Sequence, residues 1–240
     1  MAANSGGSGA RSWAGQIKDR IRRRYTRLAG EESFPTGGAR RLLEASYPAD
    51  AVGRLPAGLA GRYTGCGCPF PGGDALEALN PATVLDLGCG AGIDGYLLVD
   101  RLKSDVLVLG LDLTPAMLAG VPNAVAGDME ALPLPDARAD LIIANASLNL
   151  CTDKRRALAE AFRVLRPGGR LWARDLVSDG ELPREVIEDP LSDAASLGGV
   201  ESEEKLAARL SEAGFEAVTI TDHRPFSFVT SVRIEAARPG

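Results

Sequence analysis

Histidine is almost missing from this chain, which has a single one, His223, among its 240 residues. Chemistry that needs paired histidines, and zinc sites built from histidine and cysteine pairs, are therefore disfavoured. We expect His223 to be a surface or internally paired side chain, with a general-base role as the alternative. The four cysteines are too few for a disulfide scaffold in a chain of this length, so a reduced, cytoplasmic protein is expected.

Long apolar runs are also missing, which excludes a predicted bilayer-spanning helix. Residues 1–12 lack the apolar core of a signal peptide and are predicted to form a disordered leader. The net charge of -5 argues against nucleic acid as a partner of the whole protein. Hydrophobic residues make up 45% of the chain, enough for a sizeable core. A small-molecule partner, without nucleic acid or membrane, is the expectation.

A basic helix is predicted near the N-terminus. Ile17, Ile21, Tyr25 and Leu28 recur at helical spacing and form an apolar stripe. The remaining positions carry six basic residues: Lys18, Arg20, Arg22, Arg23, Arg24 and Arg27. This pattern is typical of a helix that packs its stripe on a domain and leaves a solvated charged face. Steering of an anionic ligand or of nucleic acid is the alternative.

From residue 80 onward, short Val, Ile and Leu runs alternate with segments of helical spacing. Such alternation predicts an α/β fold whose parallel sheet is covered by helices on both faces. Two final β-rich segments predict a C-terminal antiparallel hairpin, which brings the sheet to seven strands. A helix beginning near Asp153 is predicted to stop at Pro167, Gly168 and Gly169.

The strongest chemical signal is the segment VLDLGCGAGID, residues 84–94. A buried strand runs into Gly88, Gly90 and Gly92, and a helix begins at once. Glycines allow a sharp turn and a close approach to a ligand, and the helix start offers free N–H groups. Open α/β sheets bind cofactors at this edge. Cys89 lies in the turn and is expected to pack behind it.

Acidic residues at three strand ends indicate which cofactor this is. The glycine spacing differs from the dinucleotide pattern, and Asp86 would repel a pyrophosphate but could orient an ammonium group through the glycine loop. Asp112 can accept hydrogen bonds from ribose hydroxyls, and Asp128 can accept one from an adenine amino group while Met129 packs on the ring. Each acid alone could be a helix cap. Together, ammonium, ribose and adenine describe S-adenosylmethionine.

These motifs resemble the class I S-adenosylmethionine-dependent methyltransferases over residues 80–175. The resemblance implies a Rossmann-like sheet, preceded by an N-terminal helical cap and lid (residues 13–78) and occupying residues 79–240. Asn145, after the fourth strand, would lie where the methionine end of the donor meets the acceptor. The implied cofactor residues are Asp86, Gly88, Cys89, Gly90, Gly92, Asp112, Leu113, Met117, Asp128, Met129 and Asn145.

Over residues 45–225 the chain is similar to the arsenite methyltransferases. The segment YTGCGCP, residues 63–69, resembles their Tyr-Gly-Cys-Gly motif, which implies catalytic roles for Cys66, Tyr63 and Asn145. That family holds trivalent arsenic with cysteine thiolates, because soft ligands suit a soft acceptor. Cys66 stands at the first thiolate position, whereas the other two are occupied by Ala146 and Ser196. Tyr63 could line the methyl path or simply pack.

Three functions remain open at this stage. A diverged methyltransferase for a small organic acceptor is the favoured one. A genuine arsenite methyltransferase is the second, with Cys66 joined by Cys68 and Cys151 as metalloid ligands; Cys151 could instead pack as a small apolar side chain. The third is a non-catalytic protein that binds the donor. No resident metal is expected.

Overall fold

The computed structural model describes residues 12–30, 37–71, 73–102, 105–178, 180, 182–187 and 197–240. The predicted leader falls outside these ranges except at its last residue, and Ser196 falls outside them as well. The strands are Thr83–Leu87 (β1), Leu107–Asp112 (β2), Ala124–Ala126 (β3), Ala139–Asn145 (β4), Leu165–Val177 (β5), Glu216–Phe226 (β6) and Val229–Ala237 (β7). The α-helices are Trp13–Gly30 (α1), Gly38–Glu44 (α2), Ala49–Gly53 (α3), Ala75–Leu79 (α4), Ile93–Leu102 (α5), Lys154–Val164 (α6), Arg184–Ile187 (α7) and Glu203–Glu212 (α8).

The seven strands form one sheet in the order β3-β2-β1-β4-β5-β7-β6. Neighbours from β3 to β5 pair in parallel, and β7 runs antiparallel to both β5 and β6. The predicted mostly parallel sheet with a C-terminal hairpin is confirmed. Because the strands from β3 to β5 point the same way, their carboxyl ends meet at one edge.

Hydrophobic cores lie on both faces of the sheet. Successive residues of β4 face opposite sides of the sheet, so Ile142 packs in one hydrophobic core and Ile143 in the other. The first cluster includes Leu158 of α6 and Leu210 of α8. The second contains residues of α2 to α5, such as Leu42. A strand buried on both faces needs a continuous apolar run, which is the pattern seen in the sequence.

The N-terminal segment contributes directly to the second core. Tyr47 and Tyr63 are buried there beside Val84 and Ile143 of the sheet. The proposed cap is thus packed on the domain through shared apolar surface. Among the described residues, no helix has the length and apolarity that crossing a bilayer requires.

The helix before β5 is shorter than predicted. It ends at Val164, and Leu165 is already extended and pairs with Ala139 of β4. Pro167 and the two glycines after it therefore lie in β5, beyond the end of the helix, and the predicted boundary was placed too late. A residue before proline is biased toward extended conformation, so the chain leaves the helix earlier and strand pairing begins at once.

Candidate functional site

The glycine turn after β1 is made of left-handed backbone. Gly88, Gly90 and Gly92 have φ of 73°, 53° and 78°, conformations that side-chain-bearing residues rarely adopt. A Cβ on Gly88 would lie 2.5 Å from the Cβ of Ser147. Only glycine fits there, so the turn presents bare backbone to the cleft beside it.

Asp112 ties this turn to the end of β2. Its carboxylate accepts hydrogen bonds from the N–H of Gly90 at 3.0 Å and from the N–H of Thr114 at 2.7 Å. Burial raises the pKa of Asp112, and the two backbone hydrogen bonds oppose that shift. The carboxylate remains on the cleft wall, where a diol could bind to it.

A cleft opens at the carboxyl ends of the parallel strands. This edge is the one at which open α/β sheets bind their cofactors. Many of the residues predicted for the cofactor or the acceptor line it: Gly88, Gly90, Asp112, Leu113, Met117, Asp128, Met129, Asn145 and Cys151.

Three predicted cofactor residues do not line this cleft. Asp86, Cys89 and Gly92 border a second cavity of about 1540 Å³ on the other side of the turn. Asp86 is 3% exposed, and burial raises its pKa well above the usual value, as do the neighbouring carboxylates of Asp94 and Asp112. Its predicted influence on a bound ammonium group would have to act through the turn.

Helix α1 covers one end of the cleft. Ile17 and Ile21 are buried against Leu113 and Leu150, which confirms the predicted packing of the apolar stripe. Its Lys18 Nζ lies 2.7 Å from Asp128 Oδ2 and 2.6 Å from Glu130 Oε2.

This ion pair occupies the predicted adenine end of the cleft. Burial opposes the charge of Lys18, but its hydrogen bonds to Asp128 and Glu130 prevail, so the pKa of Lys18 is raised. Asp128 is therefore already engaged by a lysine that sequence reasoning had assigned to the solvated face.

At the other end of the cleft, Asn145 joins several segments of the chain. Its Oδ1 accepts from the N–H of Cys66 at 3.0 Å, and its Nδ2 donates to Asp94 Oδ2 at 3.0 Å and to the carbonyl of Gly67 at 2.8 Å. The next residue, Ala146, has φ of 53°, a strained conformation for alanine. Strained backbone of this kind concentrates at functional sites.

Cys66 lies in apolar surroundings. The thiol is 7% exposed and packs with Leu176 and Val229, while Ala146 and Leu197 lie against the same cluster. Burial raises the pKa of Cys66 strongly, and the nearby Asp175 carboxylate raises it further. The thiol is therefore neutral near pH 7.

Cys68 and Cys151 have other environments. Cys68 packs on the core of the N-terminal segment, and burial raises its pKa to about 12. Cys151 lines the cleft near Glu130, and burial raises its pKa as well. Among the described residues, no three His, Cys, Asp or Glu side chains are grouped closely enough to hold a metal ion. As folded here, the three thiols do not form a three-sulfur site.

Ser196 stands at the third thiolate position, and residues on both sides of it in the sequence pack near Cys66. Leu182, Leu197 and Val200 pack on the Cys66 cluster. Lys154 Nζ donates to the carbonyl of Gly199 at 2.8 Å and to Asn149 Oδ1 at 2.6 Å, which anchors this stretch. The described residues of this stretch thus add apolar side chains to the Cys66 cluster.

Tyr63 and His223 are the remaining side chains for which the sequence suggested a role. The Tyr63 hydroxyl donates to the carbonyl of Gly67 at 3.3 Å, and its ring packs edge-on against Tyr47. Tyr63 does not line the cleft. His223 lies within β6, not between the last two strands, and its Nε2 is 2.6 Å from Glu203 Oε2 on an exposed surface.

Sequence reasoning missed Asp94, Tyr47 and Lys18. Asp94 follows Gly92 by two residues and resembles an ordinary acidic residue of a helix's first turn. Its hydrogen bonds to Tyr47 and Asn145 distinguish it, and these span 47 and 51 residues of sequence. Lys18 was visible only as one of six basic residues on α1.

The fold and this cleft define the class of protein: an α/β domain with a nucleoside-type cofactor site at the strand ends. Residues 80–214 match the family described as a methyltransferase domain. The chain belongs to this methyltransferase family.

Two relatives show which kinds of methyltransferase this chain is similar to. The arsenite methyltransferase of Halobacterium salinarum is 35% identical over 228 residues, a match that spans 84% of this chain and 56% of that protein. The malonyl-[acyl-carrier protein] O-methyltransferase of Pseudescherichia vulneris is 35% identical over 156 residues, spanning 60% of this chain and 61% of that protein.

A solved structure is also similar. CrArsM, an arsenic (III) S-adenosylmethionine methyltransferase from Chlamydomonas reinhardtii, superposes with a TM-score of 0.65 and 26% identity, covering 86% of this chain and 74% of that one. The chain spans little more than half the length of the Halobacterium relative.

Proposed function

We propose that this protein transfers the methyl group of S-adenosylmethionine to a small organic acceptor. Family membership and the cleft at the strand ends support the donor. The observation that carries the acceptor class is the setting of Cys66, a neutral thiol packed among apolar side chains with Ala146 beside it. A metalloid needs several converging thiolates, and no three of the described His, Cys, Asp or Glu side chains are grouped to supply them.

The carboxylates around the glycine turn suit the cationic donor. Asp86, Asp94 and Asp112 surround the glycine turn, burial raises the pKa of each, and none has a basic partner among the described residues. Buried carboxylates favour a cation over a neutral or anionic ligand. S-adenosylmethionine supplies an activated sulfonium methyl group when bound.

Catalysis in this proposal is mainly alignment and exclusion of water. The bare turn at Gly88 and Gly90 lets the donor approach the backbone, and Asp112 would hold its ribose. Helix α1 closes one end of the cleft, while Asn145 and the apolar Cys66 cluster bound the other. Placing the nucleophile in line at near-attack distance accounts for much of the rate in such reactions.

A genuine arsenite methyltransferase is the second candidate, and the names of the relatives favour it. The deciding experiment measures acceptor-dependent S-adenosylhomocysteine formation with arsenite and with a panel of small apolar thiols and phenols. Cys66→Ser is compared with the parent, and Cys89→Ser serves as a cysteine control outside the cleft.

We expect turnover with an organic acceptor and no arsenite-dependent product. Arsenite turnover that disappears in Cys66→Ser would overturn the organic-acceptor proposal. Donor binding without turnover on any acceptor would favour the non-catalytic alternative.

We further infer a cytoplasmic location and the predicted division into a cap, residues 13–78, and a methyltransferase domain, residues 79–240. All four cysteines are free thiols, as expected in a reducing compartment. Fractionation of cells, with the protein recovered beside cytosolic markers, tests the location.

A further inference from the structure

The carboxamide of Asn145 has one orientation that satisfies its neighbours. The Nδ2 side faces three acceptors, namely Asp94 Oδ2 at 3.0 Å, the Gly67 carbonyl at 2.8 Å and the Tyr47 hydroxyl at 2.9 Å. The Oδ1 side faces a donor, the N–H of Cys66 at 3.0 Å. Reversal of the amide would bring oxygen against oxygen on one side and N–H against N–H on the other.

The Tyr47 hydroxyl has two acceptors within reach. It lies 2.5 Å from Asp94 Oδ1 and 3.1 Å from the Gly67 carbonyl, yet it has one hydrogen to donate. When Asp94 is ionised, Tyr47 donates to it, and both Asn145 hydrogens remain for Asp94 and Gly67. When Asp94 carries a proton, it donates to Tyr47, and Tyr47 turns to the Gly67 carbonyl in competition with Asn145.

We propose that Asp94 and Tyr47 are positioning residues that orient Asn145, and through it the Cys66 segment, beside the cofactor cleft. Asp94 is 9% exposed and Tyr47 is 4% exposed, so water does not replace these bonds readily. The network joins the start of α5, the end of β4 and the loop before β1. A role in turnover rests on the proposed methyl transfer, but the hydrogen-bond geometry does not.

The titration of Asp94 is set by a largely uncharged environment. Burial raises its pKa to about 6, opposed by the hydrogen bonds from Tyr47 and Asn145. The other titratable groups facing it are Asp86 of β1 and, from the N-terminal segment, Tyr63 and Cys68. None of these is a cation. The ionised arrangement therefore holds above about pH 6, and the protonated one replaces it below.

The test follows the side-chain amide resonances of Asn145 by ¹H–¹⁵N NMR from pH 5 to pH 8, with Asn145→Asp as the assignment variant. We expect a titration midpoint near pH 6 in the parent protein. Asp94→Asn should abolish the titration. Tyr47→Phe should move the midpoint upward, because the lost hydrogen bond had lowered the pKa of Asp94.

Tyr96→Phe is the matched control, since Tyr96 lies on the same helix with its hydroxyl on the carbonyl of Arg54. Its midpoint should equal that of the parent. Asn145 resonances that stay constant with pH in the parent, or still titrate in Asp94→Asn, would overturn the proposal. If Asp94→Asn does not fold, Tyr47→Phe decides the proposal. An upward shift of its titration midpoint supports the proposal, and an unchanged midpoint overturns it.

Once an acceptor is known, kinetics give a second readout. We expect Asp94→Asn and Tyr47→Phe to lower kcat about 10-fold, while the Kd for S-adenosylmethionine changes by less than about 3-fold. An equal loss of donor affinity and turnover would contradict a positioning role. The NMR result requires no acceptor, so failure of the proposed methyl transfer would be distinguishable from failure of this inference.

Discussion

The two ends of the cleft are built in different ways. At the donor end, the predicted carboxylates lie in or soon after strands, and Asp112 is positioned by the backbone of Gly90 and Thr114. At the acceptor end, hydrogen bonds connect distant segments, such as Asn145 with Tyr47, 98 residues apart. A local motif therefore defines the first end, and long-range packing defines the second.

The two ends also differ in charge. Carboxylates and Lys18 surround the donor end, whereas Cys66 packs with Leu176 and Val229 and has the polar groups of Asn145 and Asp175 nearby. The experiments below disturb one end and ask whether the other responds.

The largest effect is expected from the buried arginine that supports the acceptor end. Arg174 is 1% exposed, and it donates to Ser231 Oγ and Asp222 at 2.7 Å each. Ser231 in turn donates to the carbonyl of Cys66 at 2.7 Å. Arg174→Met should lower the free energy of unfolding by about 3 kcal/mol, because buried hydrogen-bonding partners are left without a donor.

Arg224→Met provides the matched control for Arg174→Met. Arg224 binds the same carboxylate, Asp222, but is 41% exposed. Its loss should cost less than about 1 kcal/mol in urea unfolding. If the two variants lose the same free energy of unfolding, burial does not explain the contribution of Arg174 to stability.

At the donor end, Asp112→Asn should weaken S-adenosylmethionine binding by about 10- to 100-fold, since hydrogen bonds to a charged group contribute about 1.5–3 kcal/mol. Calorimetric titration measures the affinity. The exposed Asp50→Asn on α3 is the control. Unchanged affinity in Asp112→Asn would remove Asp112 from the cofactor site.

Lys18→Met tests how α1 is held over the cleft. The Lys18 side chain is 15% exposed and pairs with Glu130, which is 8% exposed. We expect the docking of α1 to weaken by about 1–2 kcal/mol and trypsin cleavage within α1 to accelerate several-fold. The control is Arg27→Met, on the exposed face of the same helix. Trypsin should cleave this variant at its remaining α1 sites at the same rate as it cleaves the parent protein. Identical rates in all three proteins would show that the ion pair does not hold the helix.

The smallest effect is expected from pH. Folded Asp94 binds its proton more tightly than unfolded Asp94, because burial raises its pKa to about 6. Its contribution to stability is complete below the unfolded pKa and is lost as the pH rises toward 6 and above.

Urea unfolding of the cofactor-free protein should therefore show stability falling between pH 5 and pH 7, by about 1 kcal/mol. Asp94→Asn should make this dependence shallower, and the fall that remains comes from the raised pKa values of Asp86 and Asp112. A stability that instead rises with pH in the parent, with the same slope in Asp94→Asn, would contradict the assignment.

Prediction from sequence succeeded where chemistry and local structure coincide. The run from Val84 to Gly92 specified a strand, a turn and a helix, and the structure confirms all three. The end of α6 was predicted too late, since strand pairing already begins at Leu165, ahead of Pro167. Asp86, predicted to act on the ammonium group through the turn, borders the cavity behind that turn.

By itself, the sequence determined the seven-stranded α/β sheet and the glycine turn at its edge, because apolar periodicity and glycine conformation act over a few residues. Only the tertiary structure decided that Lys18 engages Asp128, that Asp94 and Tyr47 hold Asn145, and that the described Cys66, Cys68 and Cys151 do not form a group of three ligands. These relations depend on how separate segments pack, and no spacing along the chain encodes them.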